Sequence, residues 1–219
     1  EGLEYQTLSL VTPRKGYKFV KWWFGKTMEI PEDWEDCRIG EMVKFEGGSQ
    51  PERINFRFQS TKGYIRMIQI RDFKTDHYQT YIPINSTKKF FKKEDIMIGR
   101  YGPPNFQILR GLEGAYNVAL MKAIPTKTGK NYLYYFLKQK TIFNIIDSLA
   151  KRTAGQDGIG LDVLRRLPFP LPPKEEEQKI ASILSNVDNL IESTEKVITH
   201  SKKVKKGLMQ KLLTRGIGH

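Results

Sequence analysis

An α+β protein is predicted by three features of this 219-residue chain. Short β-branched and aromatic runs, punctuated by turn residues, fill its first part. A long apolar stretch free of Gly and Pro follows, and a heptad pattern then runs toward the C terminus. The expected architecture is a mixed globular domain over residues 1–167, a proline-rich hinge over 168–173, and a long helix over 174–219.

The strands come first. "GYIRMIQI" (63–70), "DIMIGRYG" (95–102) and "GAYNVALMKAI" (114–124) each read as one strand bounded by Gly or Asp. "YLYYFLKQKTIFNIIDSLA" (132–150) suits a single helix with a broad apolar face. "YKFVKWWFGKTMEIPEDW" (17–34) fits either a strand pair or an arm packed on the domain. The helix entrance is explicit: Pro168, Pro170, Pro172 and Pro173 hold the chain extended, because proline fixes φ and lacks an amide donor. Pro173 also suits the first turn of a helix. Glu175, Glu176 and Glu177 then match the positive end of the helix dipole, as Lys202, Lys203, Lys205, Lys206 and Lys211 match the negative end.

In the last segment, steps of four and three connect Ile183, Val187, Leu190, Thr194, Val197, Ser201, Val204 and Leu208. Six of these eight seam positions are apolar. Leu184, Ile191, Ile198 and Leu212 widen the stripe. Such a helix reaches roughly 60 Å, more than its own domain can cover, so it is expected to pair with a second helix. Ile183, Val187, Leu190, Val197, Val204 and Leu208 are the expected dimer contacts. Gly207 weakens the far end by about 1 kcal/mol relative to Ala.

Composition narrows the chemistry. The single Cys37 excludes an internal disulfide and a multi-cysteine metal site, and fits a buried apolar position. No apolar run approaches the roughly 20 residues of a membrane span, and no signal-peptide pattern opens the chain, which predicts a cytoplasmic protein. Formal net charge is +13. Up to Leu167 there are 28 Lys and Arg against 18 Asp and Glu, and from Pro168 onward 9 against 6. The excess therefore lies on the first part, where a polyanion would gain by releasing counterions. Solubility alone would explain the charge as well.

The search for catalysis finds little. A methyltransferase needs a glycine-rich cofactor turn and Asn or Asp before two prolines and an aromatic; "GPPNF" (102–106) misses that pattern at both ends. "GKT" (25–27) lacks the earlier glycine of a phosphate-binding loop. "EEQK" (176–179) superficially offers the carboxylates and lysine of a metal-dependent nuclease, but a helix entrance explains the same residues. His77, His200 and His219 are too scattered for a metal site or a triad. No cofactor, metal or catalytic residue is expected.

Binding fits better. "PERINFRFQSTKGYIRMIQIRDFKTDHYQ" (51–79) interleaves Arg53, Arg57, Arg66, Arg71, Lys74 and Gln79 with aromatics and amides. Arg engages guanine edges bidentately and Gln engages adenine. Lys88, Lys89, Lys92, Lys93, Arg100 and Arg110 suit phosphate contacts, which position without specifying. Ordinary surface charge accounts for any one of them singly; together they lean toward double-stranded DNA.

The order of motifs adds a resemblance. "IPEDWEDCRIGE" (30–41), "GGSQP" (47–51), "GYIRMIQIRDF" (63–73), "FFKKEDIMIGRYG" (90–102), "GAYNVALM" (114–121), "LPFPLPPKEEEQKIASIL" (167–184) and "KKGLMQKLLT" (205–214) resemble, in sequence, the DNA specificity subunit of Type I restriction-modification systems. The resemblance implies a non-catalytic protein carrying a target-recognition domain on a conserved helix. Members of full length have two such domains and two helical regions; this chain has one of each, which leaves open a half-length subunit or a piece of a longer one. The implied partners are DNA, a methyltransferase subunit using S-adenosylmethionine and a restriction subunit, with homodimerisation restoring two modules. Two other readings stay open: a small metal-dependent nuclease, and a coiled-coil interaction protein without sequence-specific DNA binding.

Overall fold

The computed structural model describes residues 12–102, 104, 106–152 and 160–217. Parts of the expected readings at residues 1–11, in "GPPNF" and at His219 lie outside the described residues. The chain divides into two compact units, residues 1–177 and 178–219.

The first unit is built from short strands. β1 (Tyr17–Lys21) and β2 (Thr27–Pro31) form an antiparallel pair, which resolves the open N-terminal stretch as a strand pair. β3 (Glu35–Arg38), the single turn α1 (Ile39–Met42) and β4 (Val43–Gly47) follow. Then come β5 (Tyr64–Ile68), β6 (Tyr81–Pro83), β7 (Phe90–Phe91), β8 (Ile96–Gly99), β9 (Gln107–Leu109), β10 (Gly114–Tyr116) and β11 (Leu120–Pro125). Helices α2 (Lys130–Lys138), α3 (Lys140–Arg152) and α4 (Leu161–Arg165) precede β12 (Pro168–Leu171), and α5 spans Lys174–Arg215.

Two four-stranded sheets carry the unit, in the orders β6-β5-β10-β7 and β4-β11-β8-β9. They share a core of Ile68, Phe91, Met97, Tyr116 and Leu120. Within it the Phe91 and Tyr116 rings meet edge-on at 5.8 Å, a favoured aromatic geometry. The "GAYNVALMKAI" stretch, expected as one strand, is two. Asn117 breaks it: its side-chain oxygen accepts the Ala119 N–H and its carbonyl accepts the Leu120 N–H. Asn readily makes such local turns, and here the turn lets one short segment serve both sheets. Gly48 is obligatory beside this turn, because a Cβ there would overlap the Asn117 carbonyl.

The expected helix over 132–150 is likewise two. α2 buries Tyr132, Leu133, Phe136 and Leu137, whereas α3 buries Ile142, Ile145 and Ile146. At 100° per residue these two sets lie roughly half a turn apart on a continuous helix, so one straight rod cannot bury both. Gln139 takes an extended ψ of 133° and redirects the chain.

The proline strip is extended, and β12 pairs antiparallel with β3, setting Phe169 opposite Cys37. Phe169 is fully buried, with edge-on ring contacts to Phe136 at 4.6 Å and Tyr132 at 5.8 Å. The Tyr132 hydroxyl donates to the Pro170 carbonyl at 2.8 Å, and its pKa is pushed up by burial. Cys37 is buried, and burial raises its thiol pKa as well.

The first turn of α5 still belongs to the first unit. Glu176 accepts the Trp34 indole N–H at 3.0 Å. Glu177 is buried and accepts the Thr128 hydroxyl and the Gly129 N–H, which satisfies a free amide at the start of α2. Beyond Glu177 the second unit is a helix whose apolar side chains are exposed along its length, among them Ile183, Val187, Leu190, Val197, Val204 and Leu208. The seam residue Thr194 donates its hydroxyl to the Leu190 carbonyl at 2.8 Å, so it carries no unmet donor on that face. Glu192 and Lys196 pair at 2.5 Å across one turn, in the orientation that supports a helix.

Candidate nucleic-acid interface

A basic and aromatic cluster gathers around the β6 edge of the first sheet. β5 and β6 pair antiparallel with Arg66 opposite Tyr81, and Arg57 forms a bridge to the other side of Tyr81. Both backbone bonds of that bridge are present, at 2.9 and 2.8 Å. Arg57, Tyr81 and Arg66 therefore lie in a row across the sheet edge. A 3-10 turn at Ile70–Phe73 follows β5, closed by a capping box in which Asp72 accepts the Gln69 N–H at 2.7 Å.

Arg66 is held within the protein. Its Nη2 contacts Asp72 at 3.2 Å and Asp76 at 2.8 Å, and the Asp72 side chain is only 1% exposed. Burial lowers the guanidinium pKa, but the two carboxylates more than reverse that and leave it raised. This clamp fixes the 66–76 loop. It also offsets one of the loop's two carboxylate charges, and over residues 51–79 six basic side chains, Arg53, Arg57, Lys62, Arg66, Arg71 and Lys74, stand against Glu52, Asp72 and Asp76.

The neighbouring side chains are more available. Arg53 is exposed on a short 3-10 turn. Arg57 donates Nη1 to the carbonyl of Phe56 at 2.9 Å, with its guanidinium 5.7 Å from the Tyr64 ring. Arg71 is exposed and lies 5.7 Å from the Tyr78 ring, and Lys74 is exposed beside it. Gln79 accepts the Tyr81 hydroxyl at 2.6 Å, which orients its amide.

The remaining predicted residues lie elsewhere. Lys88, exposed, and Lys89 lead into β7 at the opposite edge of the same sheet. Lys89 faces Glu46 at 3.6 Å. The Glu46 carboxyl also accepts the Tyr116 hydroxyl at 2.8 Å, and that bond, then Lys89, holds its pKa below the ordinary value against burial. Arg100 follows β8 in the second sheet, with its guanidinium 5.4 Å from the Tyr101 ring. Arg110 follows β9, donates to Asn131 at 2.8 Å and lies 4.7 Å from the Tyr134 ring. Of the twelve residues the sequence groups, Arg53, Arg57, Arg66, Arg71, Lys74 and Gln79 fall in the stretch around β5 and β6, while Lys92 and Lys93 directly follow β7.

Three exposed side chains in this cluster escape sequence reasoning: Ile54, Phe58 and Tyr78, at 81%, 76% and 66% exposure. Their apolar character points to a core, and only the strand register shows that they face outward.

The fold has counterparts among solved structures. The crystallised HsdS subunit from Thermoanaerobacter tengcongensis shares it with a TM-score of 0.57 at 16% identity, over 87% of this chain and 47% of that one. The structural class is a sheet-rich α+β module followed by a long helix. A family profile for the Type I restriction modification DNA specificity domain matches residues 31–200, and the chain belongs to that family. Among curated relatives, the Type I restriction enzyme MjaVIII specificity subunit of Methanocaldococcus jannaschii is 29% identical over 190 residues, covering 87% of this chain and 44% of its own length. The putative MjaX specificity subunit of the same organism is 32% identical over 206 residues, covering 86% and 47%. The chain spans about half the length of the curated relatives it matches.

Proposed function

We propose that two copies of this chain pair through α5 and read a symmetric, bipartite DNA site, one half-site per copy, in the cytoplasm. The exposed apolar stripe on α5 carries this reading. Ile183, Val187, Leu190, Val197, Val204 and Leu208 repeat at heptad spacing, and a seam of that length is stable in water only when covered. A second copy carries the same stripe, so each helix covers the other. Isologous pairing makes the two recognition units equivalent, and equivalent units favour inverted half-sites with a spacer set by the helix pair.

In this reading Arg53, Arg57, Arg71, Lys74 and Gln79 contact the DNA, and Arg66 braces the loop that presents Arg71 and Lys74. Lys88, Lys89, Arg100 and Arg110 contribute phosphate contacts at the flanks. The pair recruits methyltransferase and restriction subunits and supplies no catalysis itself. The nuclease reading loses its main support because Glu177 is buried and engaged with Thr128 and Gly129.

Selection from a random duplex library tests the reading. The expected product is two identical inverted half-sites at one fixed spacing. A single half-site without a repeat contradicts the pairing, and an unselected pool contradicts sequence recognition.

A further inference from the structure

The stretch around Arg57 is firmly held, yet it turns two large apolar side chains into solvent. Its 3-10 turn is closed by the Asn55 N–H to the Glu52 carbonyl at 3.1 Å and the Phe56 N–H to the Arg53 carbonyl at 3.0 Å. Phe56 packs against the buried cluster of Met67, Ile82 and Ala115. One residue on, both backbone groups of Arg57 are bonded to Tyr81. Immediately beyond, the Thr61 hydroxyl donates to the Gln59 carbonyl and the Tyr64 N–H to the Thr61 carbonyl, both at 3.0 Å. With Phe56 fixed inward, Ile54 and Phe58 are held outward on either side of it.

A solitary exposed apolar residue is ordinary. Two within five residues, each following an arginine in the chain, on a stretch where six basic side chains stand against three acidic ones over residues 51–79, form a mixed apolar and cationic edge. Charge complementarity points to a polyanion rather than to an apolar protein partner. In duplex DNA the apolar feature beside guanine acceptors and phosphates is the C5 methyl group of thymine, displayed only in the major groove.

We propose that Ile54 and Phe58 are thymine-reading residues, contacting C5 methyl groups in the major groove between base or phosphate contacts from Arg53 and Arg57. This rests on the DNA-recognition reading above and adds to it the base that the apolar pair selects. The two side chains add no hydrogen bonds of their own; they favour thymine over cytosine by covering its methyl. Insertion between base pairs, the other known use of apolar side chains, kinks the duplex and survives loss of the methyl group.

The test uses the full chain and the duplex it selects from a random library, with thymines replaced one at a time by uracil, which lacks only the C5 methyl. Wild type is expected to bind about fourfold more weakly for each contacted methyl removed. Phe58→Ala and Ile54→Ala are expected to bind the thymine duplex more weakly and to lose the thymine–uracil difference at their own positions. Both keep the wild-type melting temperature, because neither side chain is in the core. If wild type selects a duplex but treats thymine and uracil alike, or if Phe58→Ala keeps both affinity and discrimination, the methyl contact is overturned and DNA recognition stands. If wild type selects no duplex, the recognition reading fails and takes this inference with it.

Discussion

Arg66 and Arg53 are the same residue type in the same basic stretch, yet their surroundings separate their roles. Removing the Arg66 side chain leaves Asp72 buried and unpaired, so Arg66→Ala is expected to destabilise the first unit by about 3 kcal/mol in urea denaturation. Arg53→Ala, Arg57→Ala and Arg71→Ala combined are expected to leave stability within about 1 kcal/mol of wild type, to weaken DNA binding and to flatten its salt dependence. Unchanged binding in the triple variant places recognition on another surface. Composition and spacing showed the basic stretch, but not which arginine meets a carboxylate across the sheet edge. That pairing depends on the turn at Ile70–Phe73, which brings Asp72 and Asp76 back beside β5.

Asp95 gives the residue scale a pH dependence. Burial raises its pKa, but Lys122 at 2.8 Å, the Lys92 N–H at 3.0 Å and Lys130 at 3.0 Å outweigh burial and bring it from 3.8 to about 2. A carboxylate depressed in the fold stabilises it above its unfolded pKa and loses that contribution as pH falls through the folded value. Asp95→Asn is therefore expected to lower stability by about 2 kcal/mol at pH 7, with the difference from wild type shrinking between pH 4 and pH 2. A difference independent of pH over that window would show that the charge is not responsible.

At the scale of elements, the sequence revealed kinds better than boundaries. The strands at 64–68 and 96–99 and the long C-terminal helix fall where the β-branched and aromatic runs and the heptads put them. The two merged elements fail for legible reasons. Asn117 is a turn former inside an apolar run, and the apolar face of 132–150 reverses near Gln139 although no Gly or Pro marks the break. The three glutamates after the prolines suit a helix entrance, but the tertiary partners of Glu176 and Glu177, which are Trp34, Thr128 and Gly129, are distant in sequence. Glu177→Ala is expected to destabilise the first unit by about 1–2 kcal/mol through loss of its bonds at the start of α2. Wild-type stability would mean that Thr128 and Gly129 find other partners. Charged substitutions at Val187, Leu190 and Val197 are expected to abolish pairing while leaving the near-ultraviolet circular dichroism of the first unit intact. A variant that still pairs shows that the seam lies on another face.

For the whole molecule, the division of labour follows from where each kind of surface lies. The first unit holds a shared core and a basic, aromatic sheet edge; the second offers an apolar stripe and no core of its own. Among the described residues no helix is long and apolar enough to cross a membrane, so the stripe on α5 is not a membrane span. Charge and motif order made the recognition class legible from the sequence, whereas the outward Ile54 and Phe58 needed the register of Arg57 on Tyr81. In the proposed reading, the pairing of α5 with its counterpart in a second copy joins the two units into one function.

The most direct measurement of that pairing is the mass of the purified chain in solution by light scattering across micromolar concentrations. Pairing predicts twice the 25.4 kDa of one chain, falling to 25.4 kDa in the Val187, Leu190 and Val197 variant. A wild-type mass of 25.4 kDa throughout that range contradicts it.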